Sequence, residues 1–384
     1  MLAVGIIFLS GKIDSQVFDE KVHKSDLIED TNDNIQEAEE DISDTEIAKA
    51  KPYRVNHETL VLHEILEGGG FLNQMQSWNG KMLVVKFESA SVSPVFKYHE
   101  YLTHYQDSNN NNILDEQDQG FFNPASTVKV AIAALALEKL NALGVERDTE
   151  YRIVNESNWY RIDEDIRLSI VISDNDAANR LILWLGFDYI KSTLANKGLD
   201  NLAVERLMLD RGTLVDSPAF EMRFNNQKKY QQPKSVSIKP SCYEKDERVG
   251  NCATASNLVE ALIRIVQPEY FSNDERFRMT QSDRMWLQEI MMHTPREEGF
   301  ELPDNYCRFL TEVERRFSSQ SGRMLSKCGV ALFSNTYVDT SLIETDDGHK
   351  YYVAFAVSPT RRLDEETILQ WMNTTANFVL SKLP

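Results

Sequence analysis

The hydrophobic positions of this chain predict strands at both ends of a folded region and helices in its middle. Short apolar runs bounded by polar turns are typical of strands. The predicted strands are residues 81–89, 93–102, 324–334, 336–344 and 350–358, and the predicted helices are residues 57–78, 126–141, 166–185, 256–267 and 363–382. Strands from both ends can share one antiparallel sheet that the terminal helices cover, with the helical middle as a second lobe.

One of these helices is expected to lie in the interior. Residues 126–141 are apolar nearly all round, which is typical of a helix with no face toward solvent. The long polar stretch at 224–252 breaks the pattern and is interpreted as an insertion or loop. We expect a ligand to bind in the cleft between the sheet and the helical lobe.

The charge of the chain narrows its possible partners. Its 60 acidic and 41 basic residues give a formal net charge of −19. An acidic surface repels phosphate backbones, so no nucleic-acid partner is expected. Residues 14–50 hold thirteen carboxylates against three lysines, which predicts a disordered, self-repelling tail. We therefore separate a leader and acidic segment, residues 1–50, from a folded domain, residues 51–384.

The first residues bear on where the protein resides. The apolar run at 2–10 is too short to span a membrane. It is similar to the middle of a signal peptide, although the basic residues that should precede it are missing. We expect a periplasmic or secreted monomer without a stable membrane span; the alternative is a buried or frayed N-terminus. Cys242 and Cys252 flank a polar stretch that could close as a disulfide loop outside the cytosol.

Ser126 and Lys129 form the first candidate for chemistry, because they stand three residues apart at the start of the interior helix. A serine there lies near the positive end of the helix dipole, and a lysine three residues later lies on the same face. A desolvated lysine loses its proton more easily and can activate the hydroxyl. The alternative is a capping serine with a lysine that extends to solvent.

Two further motifs follow in the chain. Ser173-Asp174-Asn175 lies inside the predicted helix 166–185, where it could equally mark a cap or turn. Lys327-Cys328-Gly329 lies on a predicted strand and, taken alone, is an ordinary strand end.

Taken in order, 'NPASTVKV', 'SDNDAANRLI' and the late K-x-G strand resemble the class A β-lactamases and their penicillin-binding relatives. The resemblance is strongest over 122–140 and 166–185. It implies an α+β fold of the β-lactamase/transpeptidase type, with an antiparallel five-stranded sheet flanked by terminal helices and an all-helical lobe. The sheet lobe would comprise 51–120 and 320–384, and the helical lobe 121–319.

The same resemblance implies roles for individual residues. Ser126 would attack a carbonyl to give an acyl-enzyme, Lys129 would take or relay its proton, and Ser173 would pass a proton to the leaving nitrogen. The residues implied to bind substrate are Asn175, Lys327, Cys328, Gly329 and Val330. Lys327 would attract a substrate carboxylate, and the N–H groups of Ser126 and Val330 would form the oxyanion hole.

These roles imply hydrolysis of a β-lactam or a related cyclic or peptide amide, with no cofactor for catalysis. The expected partner is a small β-lactam or a cell-wall peptide. Two alternatives stay open: a cell-wall D,D-peptidase or esterase with the same serine chemistry, and a degenerate scaffold that binds without turnover.

The chain departs from the family pattern at three points. Cys328 stands where the family has Thr or Ser, and it could pair with Cys307. The next strand, 'NTYVDTSLIE', lacks the basic residue that lactamases often carry there. The deacylating glutamate is ambiguous: an ungapped reading puts Thr213 at its place, whereas an insertion lets Glu221 begin the family's E-x-x-x-N spacing.

A separate motif precedes the interior helix. Oxygen-bearing side chains stand at positions 1, 3, 5, 9 and 12 of an EF-hand-like loop, namely Asp107, Asn109, Asn111, Asp115 and Asp118. We expect a structural calcium ion there; the alternative is a polar loop rich in turn-forming residues.

Overall fold

The computed structural model describes residues 54–57, 59–89, 94–102, 120–209, 216–224, 228–234, 241–242, 250–318, 320–332 and 334–383. The predicted leader and acidic segment, the predicted calcium loop and Thr213 lie outside the described residues. The predictions made for them therefore stay predictions, as do the lobe boundaries.

The described chain contains twelve strands, ten α-helices and two short 3-10 turns. The strands are β1 (Arg54–His57), β2 (Lys81–Glu88), β3 (Val95–Leu102), β4 (Glu150–Ile153), β5 (Tyr160–Arg161), β6 (Leu202–Val204), β7 (Phe220–Phe224), β8 (Lys228–Gln232), β9 (Asn251–Ala253), β10 (Arg323–Ala331), β11 (Thr336–Glu344) and β12 (Lys350–Val357). The helices are α1 (Thr59–Gly68), α2 (Leu72–Ser77), α3 (Lys129–Leu143), α4 (Ile162–Val171), α5 (Asn175–Leu185), α6 (Phe187–Asn196), α7 (Ala255–Val266), α8 (Gln281–Met292), α9 (Thr311–Phe317) and α10 (Glu365–Lys382). The 3-10 turns are Ala125–Val128 and Pro268–Tyr270.

The large sheet contains the five predicted strands. Its order is β1-β3-β2-β12-β11-β10, and in the five strands from β3 to β10 each pair of neighbours is antiparallel. The short strand β1, which the pattern did not predict, adds to the edge parallel to β3. The antiparallel five-stranded sheet of an α+β fold is therefore confirmed.

Both faces of this sheet are covered, which explains its continuous apolar runs. On β2, Leu83 and Val85 belong to the core shared with α3 and α7. Met82 and Val84 belong to the core shared with the terminal helices α1 and α10. The alternation of side chains along a strand thus divides one apolar run between two layers.

The second lobe is not all-helical, which corrects that part of the fold prediction. It also carries a four-stranded sheet, in the order β5-β4-β7-β8, and the pair β6-β9. Tyr151 on β4 stacks on Phe220 of β7, with ring centroids 5.7 Å apart. These strands have only two to five residues, too few for an alternating pattern to be distinguished from a loop.

The interior helix is confirmed, whereas the helix predicted over 166–185 is two helices. Residues of α3 from Lys129 to Glu138 are buried on every side. Helix α4 ends at Val171 and α5 begins at Asn175, because Ser173 adopts a positive φ of 56° that interrupts helical geometry. No helix among the described residues is long and apolar enough to cross a membrane.

Candidate active site

The turn that carries Ser126 is held in an uncommon backbone conformation. Ala125 has a φ of 49°, in the left-handed region that a residue with a side chain rarely adopts. Its N–H donates to Asn123 Oδ1 at 2.9 Å. Thr127 ties the other side of the turn, donating from Oγ1 to the carbonyl of Pro124 at 2.6 Å. The hydrogen bonds therefore fix the partly exposed Ser126 just before α3 begins, a feature that the motif alone did not reveal.

Lys129 is fully buried and uses all the donors it has. Its Nζ donates to the Ser173 carbonyl at 2.7 Å, to Ser173 Oγ at 3.2 Å and to Asn175 Oδ1 at 2.9 Å. An ammonium group has three N–H donors, so Ser173 and Asn175 satisfy it between them. Burial lowers the pKa of Lys129 well below its usual range, and the positive charge of Lys327 lowers it further, against a smaller opposing effect of Asp174.

The Ser173-Asp174-Asn175 motif is the turn between α4 and α5. Asp174 caps α5 by accepting from the Ala177 N–H at 2.7 Å. The alternative interpretation of this motif as a helix cap or turn is therefore also correct. The turn places Ser173 and Asn175 against Lys129. One local motif thus both starts a helix and provides polar partners for the buried lysine.

A buried carboxylate braces the two helices that flank this turn. Asp165 on α4 accepts from Arg180 Nε on α5 at 2.9 Å and from the Tyr151 hydroxyl at 2.6 Å. The Arg180 guanidinium also lies over the Tyr160 ring at 4.1 Å. Because the pair is shielded from solvent, it fixes the angle between α4 and α5 and with it the turn.

Lys327 approaches the same serine from the sheet. It is fully buried on β10, and its Nζ donates to Ser173 Oγ at 3.0 Å, to Cys307 Sγ at 3.0 Å and to the Cys328 carbonyl at 3.1 Å. Burial lowers the pKa of Lys327 to about 7, with a weaker opposing effect of Asp339. The Ser173 hydroxyl therefore lies between two lysines, both of which hold a proton less tightly than in water.

Gly329 brings the strand of Lys327 against the turn of Ser126. A Cβ at this position would lie 2.5 Å from the Ser126 backbone nitrogen, 2.8 Å from Ala125 Cβ and 3.0 Å from the Pro124 carbonyl oxygen. Only glycine permits this approach. This approach brings the strand that carries Lys327 and Val330 next to Ser126, although almost 200 residues separate the S-x-x-K and K-x-G motifs in sequence.

Both pairs of cysteines that the sequence suggested are disulfide-bonded. Cys242 joins Cys252, and Cys307 joins Cys328. The Cys328 side chain packs in the core below the terminal helices, so it presents no hydroxyl or thiol donor. Cys307 instead contacts Lys327, a consequence of the pairing that spacing could not show.

Glu221 lies on β7 and is paired with an arginine. Arg152 Nε donates to its Oε1 at 2.6 Å, and the Arg152 guanidinium lies over the Trp159 ring at 4.4 Å. The three donors of Lys129 are meanwhile occupied by Ser173 and Asn175. Nothing in the sequence indicated this arginine partner, because it is 69 residues away.

Metal binding has no support from the described residues, which contain no group of three or more His, Cys, Asp or Glu side chains suited to a metal ion. The five candidate calcium ligands, Asp107, Asn109, Asn111, Asp115 and Asp118, lie outside the described residues. The calcium site stays a prediction.

Comparison with known proteins bears on fold and family. A family model described as the beta-lactamase enzyme family matches residues 90–377. The chain is similar to the chromosome-encoded beta-lactamase of Vibrio parahaemolyticus, with 14% identity, 83% of this chain and 98% of that chain covered, and a TM-score of 0.52. It is also similar to the class A beta-lactamase of the last common ancestor of Gram-negative bacteria, with 14% identity, 84% and 99% covered, and a TM-score of 0.54.

A third solved structure, the TLA-3 extended-spectrum beta-lactamase, has 12% identity, with 84% of this chain and 98% of that chain covered and a TM-score of 0.52. No curated protein matches the sequence. At these identities the solved structures confirm the expected fold, and the family match confirms the resemblance.

Replacing Gly329 by Ala should displace the Ser126 turn. The new Cβ would overlap backbone atoms that cannot move aside cheaply, and a displacement of about 1 Å at a reacting group lowers rates by up to about a hundredfold. We expect labelling of Ser126 by a fluorophosphonate to slow at least tenfold on that scale. Gly68→Ala is the matched control, since a Cβ there meets nothing within 4 Å. Equal labelling rates in the two variants would contradict the steric argument.

Replacing Lys327 by Met should move the pH dependence of Ser126 labelling. The positive charge of Lys327 lowers the pKa of Lys129, so its removal raises that pKa, and more alkaline conditions are needed for a neutral amine. The rising part of the rate profile therefore shifts to higher pH. Lys139→Met, on the same helix as Lys129, is the control for loss of a partly buried lysine charge. A profile of Lys327→Met that stays in place or shifts to lower pH would show that the two lysines are not coupled.

Proposed function

The chain belongs to the beta-lactamase enzyme family, and we propose that it is a serine hydrolase that forms an acyl-enzyme on Ser126. The observation that carries this proposal is the Ser173 hydroxyl held between Lys129 and Lys327. Binding alone does not need two buried lysines whose pKa values are both lowered. Proton transfer does, because it works best when a group can gain and lose a proton near working pH.

Acylation proceeds in two proton-coupled steps. Neutral Lys129 releases its hold on Ser173, takes the Ser126 proton and lets Oγ bond to the carbonyl carbon of the substrate. The carbonyl electron pair moves onto oxygen, which the N–H groups of Ser126 and Val330 stabilise. When the carbon–nitrogen bond breaks, Ser173 donates its proton to the leaving nitrogen and regains one from the Lys129 ammonium. Asn175 keeps Lys129 oriented throughout, and it also holds the substrate amide.

The substrate we propose is a β-lactam or a related cyclic or peptide amide, hydrolysed without a cofactor. A strained or activated amide suits this site, because the leaving nitrogen receives its proton from a hydroxyl to which two lysines donate, so that the proton can be replaced. Water then attacks the acyl-enzyme, bonds to its carbonyl carbon and releases Ser126 with a proton. Glu221 is the group proposed to take a proton from that water as it attacks and to pass it to Ser126 Oγ when the ester bond breaks.

A second function is favoured by one observation. Glu221 accepts a hydrogen bond from Arg152, and an ion-paired carboxylate is a weaker base than a free one. If the pair persists, acylation proceeds and deacylation is slow, as expected for a cell-wall D,D-peptidase or esterase that a β-lactam traps. The intact set of Ser126, Lys129 and Ser173 disfavours a scaffold without chemistry.

We also propose that the protein acts as a monomer outside the cytosol, in the periplasm or after secretion. The two disulfides support this location, because structural disulfides persist in oxidising compartments. Mass spectrometry of the protein purified from a periplasmic fraction without reductant should show both disulfides. Free thiols in all four cysteines would argue against export.

Substituting Ser126 by Ala tests the nucleophile. The variant lacks the hydroxyl that bonds to the carbonyl carbon, so incubation with a penicillin should give no covalent adduct by intact mass, while the circular dichroism spectrum and melting temperature stay those of the wild type. Ser157→Ala removes an exposed hydroxyl elsewhere and serves as the control. An adduct that persists in Ser126→Ala, or that maps to another residue, refutes the assignment.

Substituting Glu221 by Gln separates the two functions. If Glu221 activates the deacylating water, the variant should be acylated at the wild-type rate and then accumulate a stable adduct, with turnover reduced by about a hundredfold or more, the usual scale of a general base. If the wild type already accumulates the adduct and Glu221→Gln changes nothing, the glutamate is structural and the acyl-trapping function stands. Arg152→Gln, which removes the ion pair with Arg152, should speed deacylation if Glu221 is the base and should leave it unchanged if the glutamate is structural.

A further inference from the structure

The position next to the leaving group determines what substituent a substrate can carry there. An acyl donor bonded to Ser126, with its leaving nitrogen at Ser173, brings the substituent on that nitrogen near Lys327 and Cys307, since Lys327 contacts both Ser173 and Cys307. The chemistry of those two residues therefore decides whether a charged or a neutral substituent fits.

Lys327 has no donor left for an incoming anion. Its three N–H bonds are used by Ser173 Oγ, Cys307 Sγ and the Cys328 carbonyl, and the side chain is fully buried. A substrate carboxylate could bind only by displacing one of these acceptors. The lowered pKa of Lys327, about 7, further weakens it as a fixed positive charge near neutral pH.

A disulfide sulfur contacts Lys327, and an aromatic residue precedes that cysteine in sequence. Cys307 Sγ is the sulfur that contacts Lys327. Its disulfide partner Cys328 stands where the family has a hydroxyl, and disulfide sulfur donates no hydrogen bond. Tyr306, the neighbour of Cys307, keeps 41% of its surface exposed, so its ring is available at the rim. Such a surface favours an apolar group over an ion.

Two carboxylates lie within electrostatic range of Tyr306. The pKa of Tyr306 is raised by burial and then by the carboxylates of Glu365 and Asp174, which places both within electrostatic range of its hydroxyl. Asp174 also acts on Lys129. An incoming carboxylate would therefore meet repulsion at the rim and an ammonium with occupied donors inside.

We propose that this enzyme prefers acyl donors whose leaving group carries an uncharged, apolar substituent in place of a free carboxylate. The inference rests on the proposed acyl-enzyme at Ser126 and refines its substrate class. It assigns the Cys307–Cys328 disulfide and Tyr306 to a specificity surface, and Lys327 to proton chemistry at Ser173 without anion recognition.

The test compares two acyl donors that differ only in this charge, benzylpenicillin and its methyl ester. Acylation of the oxidised full-length protein is followed by intact mass, and each rate is divided by the rate at which hydroxide opens the same compound. We expect the ester to react faster by about tenfold or more, since desolvating an unpaired carboxylate carries a penalty at least that large. An acid that reacts as fast as the ester, or faster, overturns the proposal and leaves the acyl-enzyme on Ser126 intact.

A paired variant checks the cause. Cys307→Ser with Cys328→Thr removes the disulfide and supplies hydroxyl donors, so the preference for the ester should shrink. Cys242→Ser with Cys252→Ser removes the other disulfide and should leave the preference unchanged. An unchanged preference in the first variant overturns the role of the disulfide. If neither compound acylates the wild type, while a fluorophosphonate still labels Ser126, the inferred substrate class is wrong; no labelling by any of the three probes refutes the acyl-enzyme itself.

Discussion

The burial of two lysines around one serine hydroxyl is the constraint on which the rest of this structure depends. Neither Lys129 nor Lys327 has a carboxylate among its hydrogen-bond partners in the described part of the chain. Buried charges without a paired ion are costly, so the fold must supply neutral acceptors at fixed positions. The Ser173 hydroxyl is the acceptor that both lysines share, which makes the turn at Ser173 the point that every neighbouring element has to position.

Three segments that are distant in sequence meet that requirement. The Ala125 and Ser173 backbones both adopt positive φ values, a conformation that costs on the order of 1–2 kcal/mol for a residue with a side chain. Such strain persists only where the surroundings over-determine it. Hydrogen bonds of Asn123 and Thr127 fix the first turn, Asp165 braces the helices around the second, and Gly329 lets the strand of Lys327 reach the first.

The sequence predicted the elements better than the contacts between them. Long apolar runs identified α3 and the five strands of the large sheet, because each run is long enough to cover several helical turns or several alternations of a strand. The predicted helix 166–185 ran across the break at Ser173 because the flanking helices share one continuous apolar pattern, although the residue types of Ser173-Asp174-Asn175 had left a cap or turn open. The Arg152 partner of Glu221 and the contact of Cys307 with Lys327 escaped for a different reason: they are tertiary contacts across 69 and 20 residues, and one sequence contains no signal for such pairings. Gly329 was predicted as a site residue from its motif. The reason why a glycine is needed there, the close approach to Ser126, is visible only in the structure.

The same burial that prepares the lysines for proton transfer also opposes folding. The free energy of unfolding therefore depends on pH, and proton linkage gives the direction of that dependence. In the unfolded chain Lys327 has its usual pKa of 10.5, whereas burial in the folded protein lowers this pKa to about 7. Between those values the unfolded state binds more protons, so the free energy of unfolding rises with pH, by at most about 1.4 kcal/mol per pH unit for one group. The penalty is complete below pH 7, where the lysine is charged and buried. Asp339, whose buried carboxyl has its pKa raised to about 6, is an anion at neutral pH, and its charge offsets a smaller part of the lowering of the Lys327 pKa. The two disulfides and the double-sided cover of the sheet supply stability elsewhere, which permits a site with two charges that solvent cannot reach.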